Sequence, residues 1–166
     1  MAFWISEEEF FGRHCPPLPA NHQPMTGELS GVDSLIRLRA FRGIVRDQWT
    51  EKDWRMHRWA YMRLTERVDA QIGIVMDALK KSGLSKNTVV IFTSDHGDHD
   101  ASHKLEHKTI LYEEAANIPF IVSFPWMKNK GRVDSGHLVS NGLSLLPTLC
   151  DIAVIRTPEN LTRKSV

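Results

Sequence analysis

Thr88-Val89-Val90-Ile91-Phe92-Thr93-Ser94-Asp95-His96-Gly97-Asp98 opens as a β-branched, continuously apolar run and closes as a polar loop. A short run of this kind, with no polar residue inside it, has the pattern of a strand covered on both faces. Upstream, Tyr61, Leu64, Val68, Ile72, Val75 and Leu79 recur at steps of three and four, so residues 50–79 are expected to form one long amphipathic helix with a buried stripe packed on the sheet. Thr50 and Asp53 have the spacing of a capping pair at its start. Lys80-Lys81-Ser82-Gly83 supplies cations for the carbonyl end and a glycine for the left-handed position beyond it. Helix, turn and buried strand make half of an α/β crossover, and the fold class is α/β.

Further along, residues 112–116 suit a short helix, and Pro119-Phe120-Ile121-Val122-Ser123-Phe124 reads as a second buried strand with proline where a strand tolerates it. Ser144 stands where it could cap a last helix containing Leu145, Leu146, Leu149 and Ile152. Toward the N-terminus, residues 13–31 are rich in Pro, Gly and Asn around Cys15-Pro16-Pro17-Leu18-Pro19, the composition of an extended surface connection. One unit over 1–166 is therefore expected, made of an extended Pro-rich lead-in (1–48), an α/β core (49–155) and a tail without periodicity (156–166).

The chain has 166 residues, 42% hydrophobic and 25% charged, which is ordinary globular usage and excludes disordered and fibrous classes. A formal charge of +1 supplies no long-range field for nucleic acid or an anionic membrane, so a bound anion has to be held by local groups. No apolar run approaches the twenty or so residues of a bilayer span. Cys15 and Cys150 have no CxxC spacing and read as two unpaired, partly buried thiols. Glu7-Glu8-Glu9 stand where a signal peptide would have a basic and then an apolar region, so none is read there. Asn160-Leu161-Thr162 matches a glycosylation sequon, a triplet too common to weigh.

Ligands in open α/β sheets gather beyond the carboxyl ends of strands, which is where Ser94 to Asp98 fall. Asp95 offers a hard carboxylate, His96 an imidazole, and Gly97 room for a tight backbone approach. Taken alone, the triplet is a polar turn. His96, His99, His103 and His107 follow at steps of three, four and four, which on a helix would align them as a zinc site. Gly97, Asp98 and Asp100 are poor helix formers, which favours a loop in which some of these residues act. Lys108 is an ordinary surface cation by itself, yet a fixed lysine suits a tetrahedral anion. Trp49, Trp54, Trp59 and Tyr61 read as core or interface.

Taken together, Val90 to Asp98, His103, Lys108, Leu111-Tyr112-Glu113-Glu114 and Ile118-Pro119-Phe120-Ile121-Val122 resemble the sulfatases of the alkaline-phosphatase superfamily. The resemblance extends through Trp59-Ala60-Tyr61 and Glu66 to Gly73 upstream and through Leu138 to Leu143 and Leu146 to Asp151 downstream, with a weaker match over Cys15 to Asn21. It implies a partial alkaline-phosphatase/sulfatase-like fold, a mostly parallel sheet flanked by helices, and a calcium-dependent (or other divalent ion) hydrolase of sulfate esters. Asp95 and His96 fall on the family's later metal-binding pair, Lys108 on the lysine that contacts sulfate and His103 on a histidine close to substrate. The family's nucleophile is a formylglycine made within Cys/Ser-x-Pro-x-Arg. Neither Cys15-Pro16-Pro17-Leu18-Pro19 nor Cys150-Asp151-Ile152-Ala153-Val154 has that order, so the chain reads as the C-terminal part of a catalytic domain, a fragment inactive alone. Ala101 and Lys104 also stand where the family commonly has glycine or small residues.

Two other functions stay open: a phosphodiesterase or phosphonate hydrolase of the same superfamily, and a non-catalytic module that binds a metal or a sulfated glycan. The expected partners are a sulfate ester, including one carried on a glycan, and a second copy through exposed sheet edges. Nucleic acid and a membrane span are not expected. Complete sulfatases are often periplasmic, secreted or lysosomal, and the compartment of this chain is left open.

Overall fold

A computed structural model describes residues 5–128 and 130–159. The sequon at 160–162 and most of the expected tail lie outside the described residues. The chain divides into two compact units, one of residues 1–78 and 96–117, the other of residues 79–95 and 118–166.

In the first unit, α1 (Glu7–His14) starts at Ser6, whose side chain accepts from the Glu9 N–H at 3.1 Å. The prolines after it donate no hydrogen bonds, but their segment still offers carbonyls. Arg55 takes those of Cys15 (2.8 Å) and Pro16 (3.0 Å), and Arg58 takes that of Pro17. The Pro-rich strap is thereby tied to α4 (Glu51–Lys81).

Extended structure was expected over residues 1–48, and the protein departs from it there. Besides α1, the stretch forms α2 (Ser30–Arg37) and α3 (Ala40–Gln48). Val32, Leu35 and Ile36, then Phe41, Ile44 and Val45, keep helical spacing, and Arg37 joins the two helices by pairing with Asp33 (2.7 Å) and Asp47 (2.7 Å). Ile36 packs with Leu105 and Ile110 in one cluster, while Val45, Trp54 and Ala101 form another with Leu18 and Trp49 at its edge. Trp54 is thus core, as expected of the tryptophans, and Trp59 meets Phe10 edge-on at 5.2 Å.

Helix α4 begins at the expected cap: the Asp53 carboxylate accepts from the Thr50 N–H (2.8 Å), and the Thr50 hydroxyl accepts from the Asp53 N–H (3.3 Å). It ends before Gly83, which is left-handed at φ 75°. Its apolar stripe is a correction to the sequence reading: Leu64 (58% exposed), Val68 (58%) and Val75 (67%) face solvent, and the buried residue of α4 is Trp54.

The second unit holds β1 (Val90–Thr93) and β2 (Phe120–Ser123). They pair antiparallel, Val90 opposite Ser123 and Thr93 opposite Phe120, in a two-stranded sheet. The α/β class holds, while the mostly parallel sheet is not what these strands form. Parallel neighbours require a crossover, usually a full helix, and the connection between them carries only a 3-10 turn at Ser102–Lys104 and the four-residue α5 (Glu113–Ala116). Nor are both faces of the strands covered, since Phe92 is 44% and Ile121 58% exposed. The last helix, α6 (Leu145–Ile152), follows Ser144 as expected, but that side chain makes no cap and its hydroxyl instead accepts from the Ser140 N–H at 3.2 Å. Cys15 and Cys150 are both buried and unpaired.

Candidate functional site

Asp95 and His96 come directly after β1, at the point where the chain leaves the second unit and enters the first. Asn141 holds the end of the strand by donating to the backbone oxygens of Ser94 (3.0 Å) and Asp95 (2.7 Å). The Asp95 side chain is exposed and lies 3.5 Å from the Ser94 hydroxyl. His96 is half-buried, with Nδ1 2.7 Å from the Gly97 carbonyl. A proton on Nδ1 satisfies that carbonyl and leaves Nε2 as the lone-pair nitrogen, the form a metal-binding histidine takes.

Gly97 has a steric reason to be glycine. Its N–H donates to the Ala115 carbonyl at 2.8 Å, and a Cβ there would sit 1.9 Å from the Glu114 carbonyl oxygen. The loop is thereby pinned against α5.

The loop then turns through a series of left-handed residues: Asp100, Ala101, His103, Lys104 and His107 all have positive φ. No helix has that backbone, so the four histidines share no helical face, which removes the geometric basis of the zinc reading. Left-handed φ at Ala101 (76°) and Lys104 (52°) also explains why glycine or small residues suit those two positions. Arg58 pairs with Asp100 at 3.1 Å, although burial pushes the Asp100 carboxyl above its ordinary range against that pairing.

His103 is buried and has a defined set of neighbours. Its N–H donates to the Asn21 carbonyl at 2.8 Å, its Nε2 lies 3.5 Å from Glu114 Oε1 and 3.4 Å from Asn21 Nδ2, and its ring is 4.6 Å from Tyr112. Asn21 also donates to Glu114. Tyr112 donates to Glu28 at 2.8 Å, and Glu28 pairs with Arg46; burial, then the Glu28 bond, pushes the phenol up to about 12. His99, 1% exposed, lies against Tyr112, and burial holds its imidazole below the ordinary histidine value. Lys108 is exposed.

Of the residues picked out by sequence, His103 therefore sits in a built polar cluster, Asp95 and His96 stand side by side at the strand end, and Lys108 stands on the surface. The partners of His103 were missed. Asn21 and Glu114 lie within stretches that carry the family resemblance, but nothing in the spacing says that Asn21 meets a histidine 82 positions on and a carboxylate 93 positions on.

Among the described residues, no group of three or more His, Cys, Asp or Glu side chains converges as a metal site. Calcium takes six to eight oxygens. Asp95 and His96 offer a fraction of that set, so these residues do not by themselves fit a calcium ion.

The Sulfatase family's sequence model matches residues 13–155. A Delta 4,5-hexuronate-2-O-sulfatase of Bacteroides thetaiotaomicron is 38% identical over 111 residues, 66% of this chain and 23% of that protein. Human arylsulfatase K is 34% identical over 122 residues, 72% of this chain and 22% of that protein. The chain thus spans under a quarter of the length of these relatives. Among solved structures, a 2-O GAG sulfatase superposes with a TM-score of 0.81 at 29% identity, covering 95% of this chain and 37% of the other. A structure in complex with its substrate D-glucosamine-2-N,6-O-disulfate gives 0.60 at 26% identity, covering 97% and 33%. With the family's sequence pattern matched over most of its length and sulfatases among its structural neighbours, the chain belongs to the sulfatase family.

Proposed function

We propose that this chain supplies part of the active site of a sulfate-ester hydrolase, with Asp95 and His96 as two of its metal ligands and Lys108 and His103 as its contacts to the sulfate group. The observation that carries the reading is the loop after β1. Asn141 holds the strand end at Asp95, while from His96 on Gly97 packs the loop against α5 and His103 sits in a fixed cluster. Asp95 and His96 would hold a divalent ion only together with ligands from elsewhere; such an ion, calcium by the family resemblance, would supply positive charge beside that of Lys108. No Cys/Ser-x-Pro-x-Arg motif occurs in these residues, so the formylglycine nucleophile and the other metal ligands have to come from elsewhere.

The substrate we infer is a sulfated glycan, with a 2-O-sulfated uronate as the first candidate, because one relative is named a hexuronate-2-O-sulfatase and one structural neighbour a 2-O GAG sulfatase. Exposed apolar faces on α4 and on the strand pair favour association with further polypeptide or with a second copy. No described helix is long and apolar enough to cross a membrane.

The test is a chimera in which this chain replaces the matching stretch of a full-length sulfatase, assayed on a sulfated disaccharide. Lys108→Ala should lose roughly 2–4 kcal/mol of transition-state binding, read from kcat/KM, with metal content unchanged. Lys108→Arg should not restore it fully, since a planar fork replaces a point charge. Unchanged turnover in Lys108→Ala would remove the sulfate-contact role. A second reading, a non-catalytic sulfated-glycan module, is favoured by the absent nucleophile motif, and binding of the disaccharide to the chain alone, without turnover, would support it.

A further inference from the structure

We infer that Glu114 is a positioning residue for His103: its carboxylate, held by Asn21, fixes the neutral ring as the Nε2–H tautomer. His103 Nε2 lies 3.5 Å from Glu114 Oε1. An ionised carboxylate only accepts hydrogen bonds, so a lone pair on Nε2 would face a lone pair on Oε1, and a proton on Nε2 turns repulsion into attraction. Asn21 Nδ2 is the competing group, because at 3.4 Å from Nε2 it could donate to an unprotonated ring nitrogen and favour the opposite tautomer. The amide has two N–H groups, and Nδ2 also donates to Glu114 Oε1, which holds the carboxylate in place.

Three further features support the assignment. The ring cannot swing away: His103 is buried, its backbone is left-handed (φ 56°), its N–H is bonded to the Asn21 carbonyl, and Tyr112 packs on its face. His103 Nδ1 is buried with no hydrogen-bond partner among the described residues, so a proton there would be an unsatisfied donor, which is costlier than an unsatisfied lone pair. Burial alone would raise the Glu114 pKa, but hydrogen bonds from its own backbone and from Asn21, with the nearby imidazoles, outweigh it and hold the group below the ordinary glutamate value.

The functional consequence rests on the reading of His103 as a sulfate contact. A sulfate oxygen is an acceptor, so on the Nε2 side of this ring it would have to share the N–H with Glu114 or take it from that carboxylate. The tautomer itself rests on the geometry alone.

The measurement is a long-range proton–nitrogen NMR correlation on the chain labelled with ¹⁵N-histidine, at a pH where the ring is neutral, with His103 assigned by loss of its signals in His103→Gln. The wild type should show His103 predominantly as Nε2–H. Glu114→Ala should shift it to predominantly Nδ1–H, because the Asn21 amide then faces Nε2 unopposed. Glu114→Gln, which can still offer an oxygen, should restore part of the Nε2–H form, and Asn21→Ala should keep it. A wild-type ring in the Nδ1–H form, or one averaging between tautomers as in a free peptide, overturns the inference. So does an unchanged tautomer in Glu114→Ala with a native circular-dichroism spectrum. Should Glu114→Ala not fold, Asn21→Ala decides, since loss of the Nε2–H form there would make Asn21 the controlling group. No turnover is needed, so this inference and the sulfate-ester reading can fail separately.

Discussion

Gly97 and His99, two residues apart, stand for the two ways a position in this loop is constrained. At Gly97 the constraint is volume. The partner of the missing Cβ is the Glu114 backbone oxygen, 1.9 Å from where that atom would lie, and backbone cannot swing aside as a side-chain tip can. Gly97→Ala should therefore separate the loop from α5 and destabilise the chain by roughly 1–3 kcal/mol, as overpacking does, measured by urea unfolding. A loss under about 0.5 kcal/mol would mean that the contact relaxes freely. At His99 the constraint is charge. Burial lowers its pKa, so below the ordinary histidine value of about 6.5 the unfolded chain takes a proton that the folded one resists. Stability should accordingly rise with pH between the lowered folded value and about 6.5. His99→Phe keeps the ring contact with Tyr112 and removes the titration, so its unfolding free energy should be flatter over that window; an unchanged slope would assign the dependence to other groups. Asp95, His96, His103 and Lys108 were legible as candidates because residue type and order are sequence properties. The neighbours that give His103 its chemistry were not, because convergence of Asn21 and Glu114 is a property of the folded loop.

Among the elements, those set by local rules follow the sequence closely. Helix α4 begins at Thr50 and Asp53 and stops before a left-handed Gly83 because capping and glycine backbone freedom act over three or four residues. Thr50→Ala removes the hydroxyl that accepts from the Asp53 N–H and should cost about 1 kcal/mol, while Thr50→Ser should be close to neutral. Equal thermal stability of the wild type and Thr50→Ala would show that the helix is held by Trp54 packing and the arginine contacts alone. Elements set by distant partners were read less well. The apolar run at 88–93 correctly announced a strand, yet pairing direction depends on how the chain returns, and the 26 residues between the strands (94–119) are mostly irregular loop. Helices α2 and α3 were overlooked because the prolines and glycines just upstream dominated the composition, although Asp33, Arg37 and Asp47 already carried the charges that join them.

For the molecule as a whole, the unusual property is how much apolar surface a well-defined chain leaves uncovered. Leu64, Val68 and Val75 form one side of α4 at helical spacing and are each more than half exposed. Contiguous apolar patches of this kind mark surfaces that meet something else. The chain spans 37% of the length of the sulfatase that it superposes on best among those described above, so the completed domain is the occupant we propose for this face. The stripe was legible in the sequence as a periodic apolar face, and periodicity reports neither whether such a face is covered nor by what. The two alternatives differ in a measurable way. If the stripe is packed within this chain, a charge at Val68 has to be desolvated, and Val68→Glu should cost several kcal/mol. If it faces outward, Val68→Glu should leave the unfolding free energy of the chain within about 0.5 kcal/mol and reduce self-association, read by sedimentation velocity at matched concentration. The outward orientation predicts the second result. It also predicts that the same substitution lowers the yield of folded, completed sulfatase, because there the glutamate would be trapped under the added segments. Loss of stability in the isolated chain would instead return α4 to the buried position that its periodicity first implied.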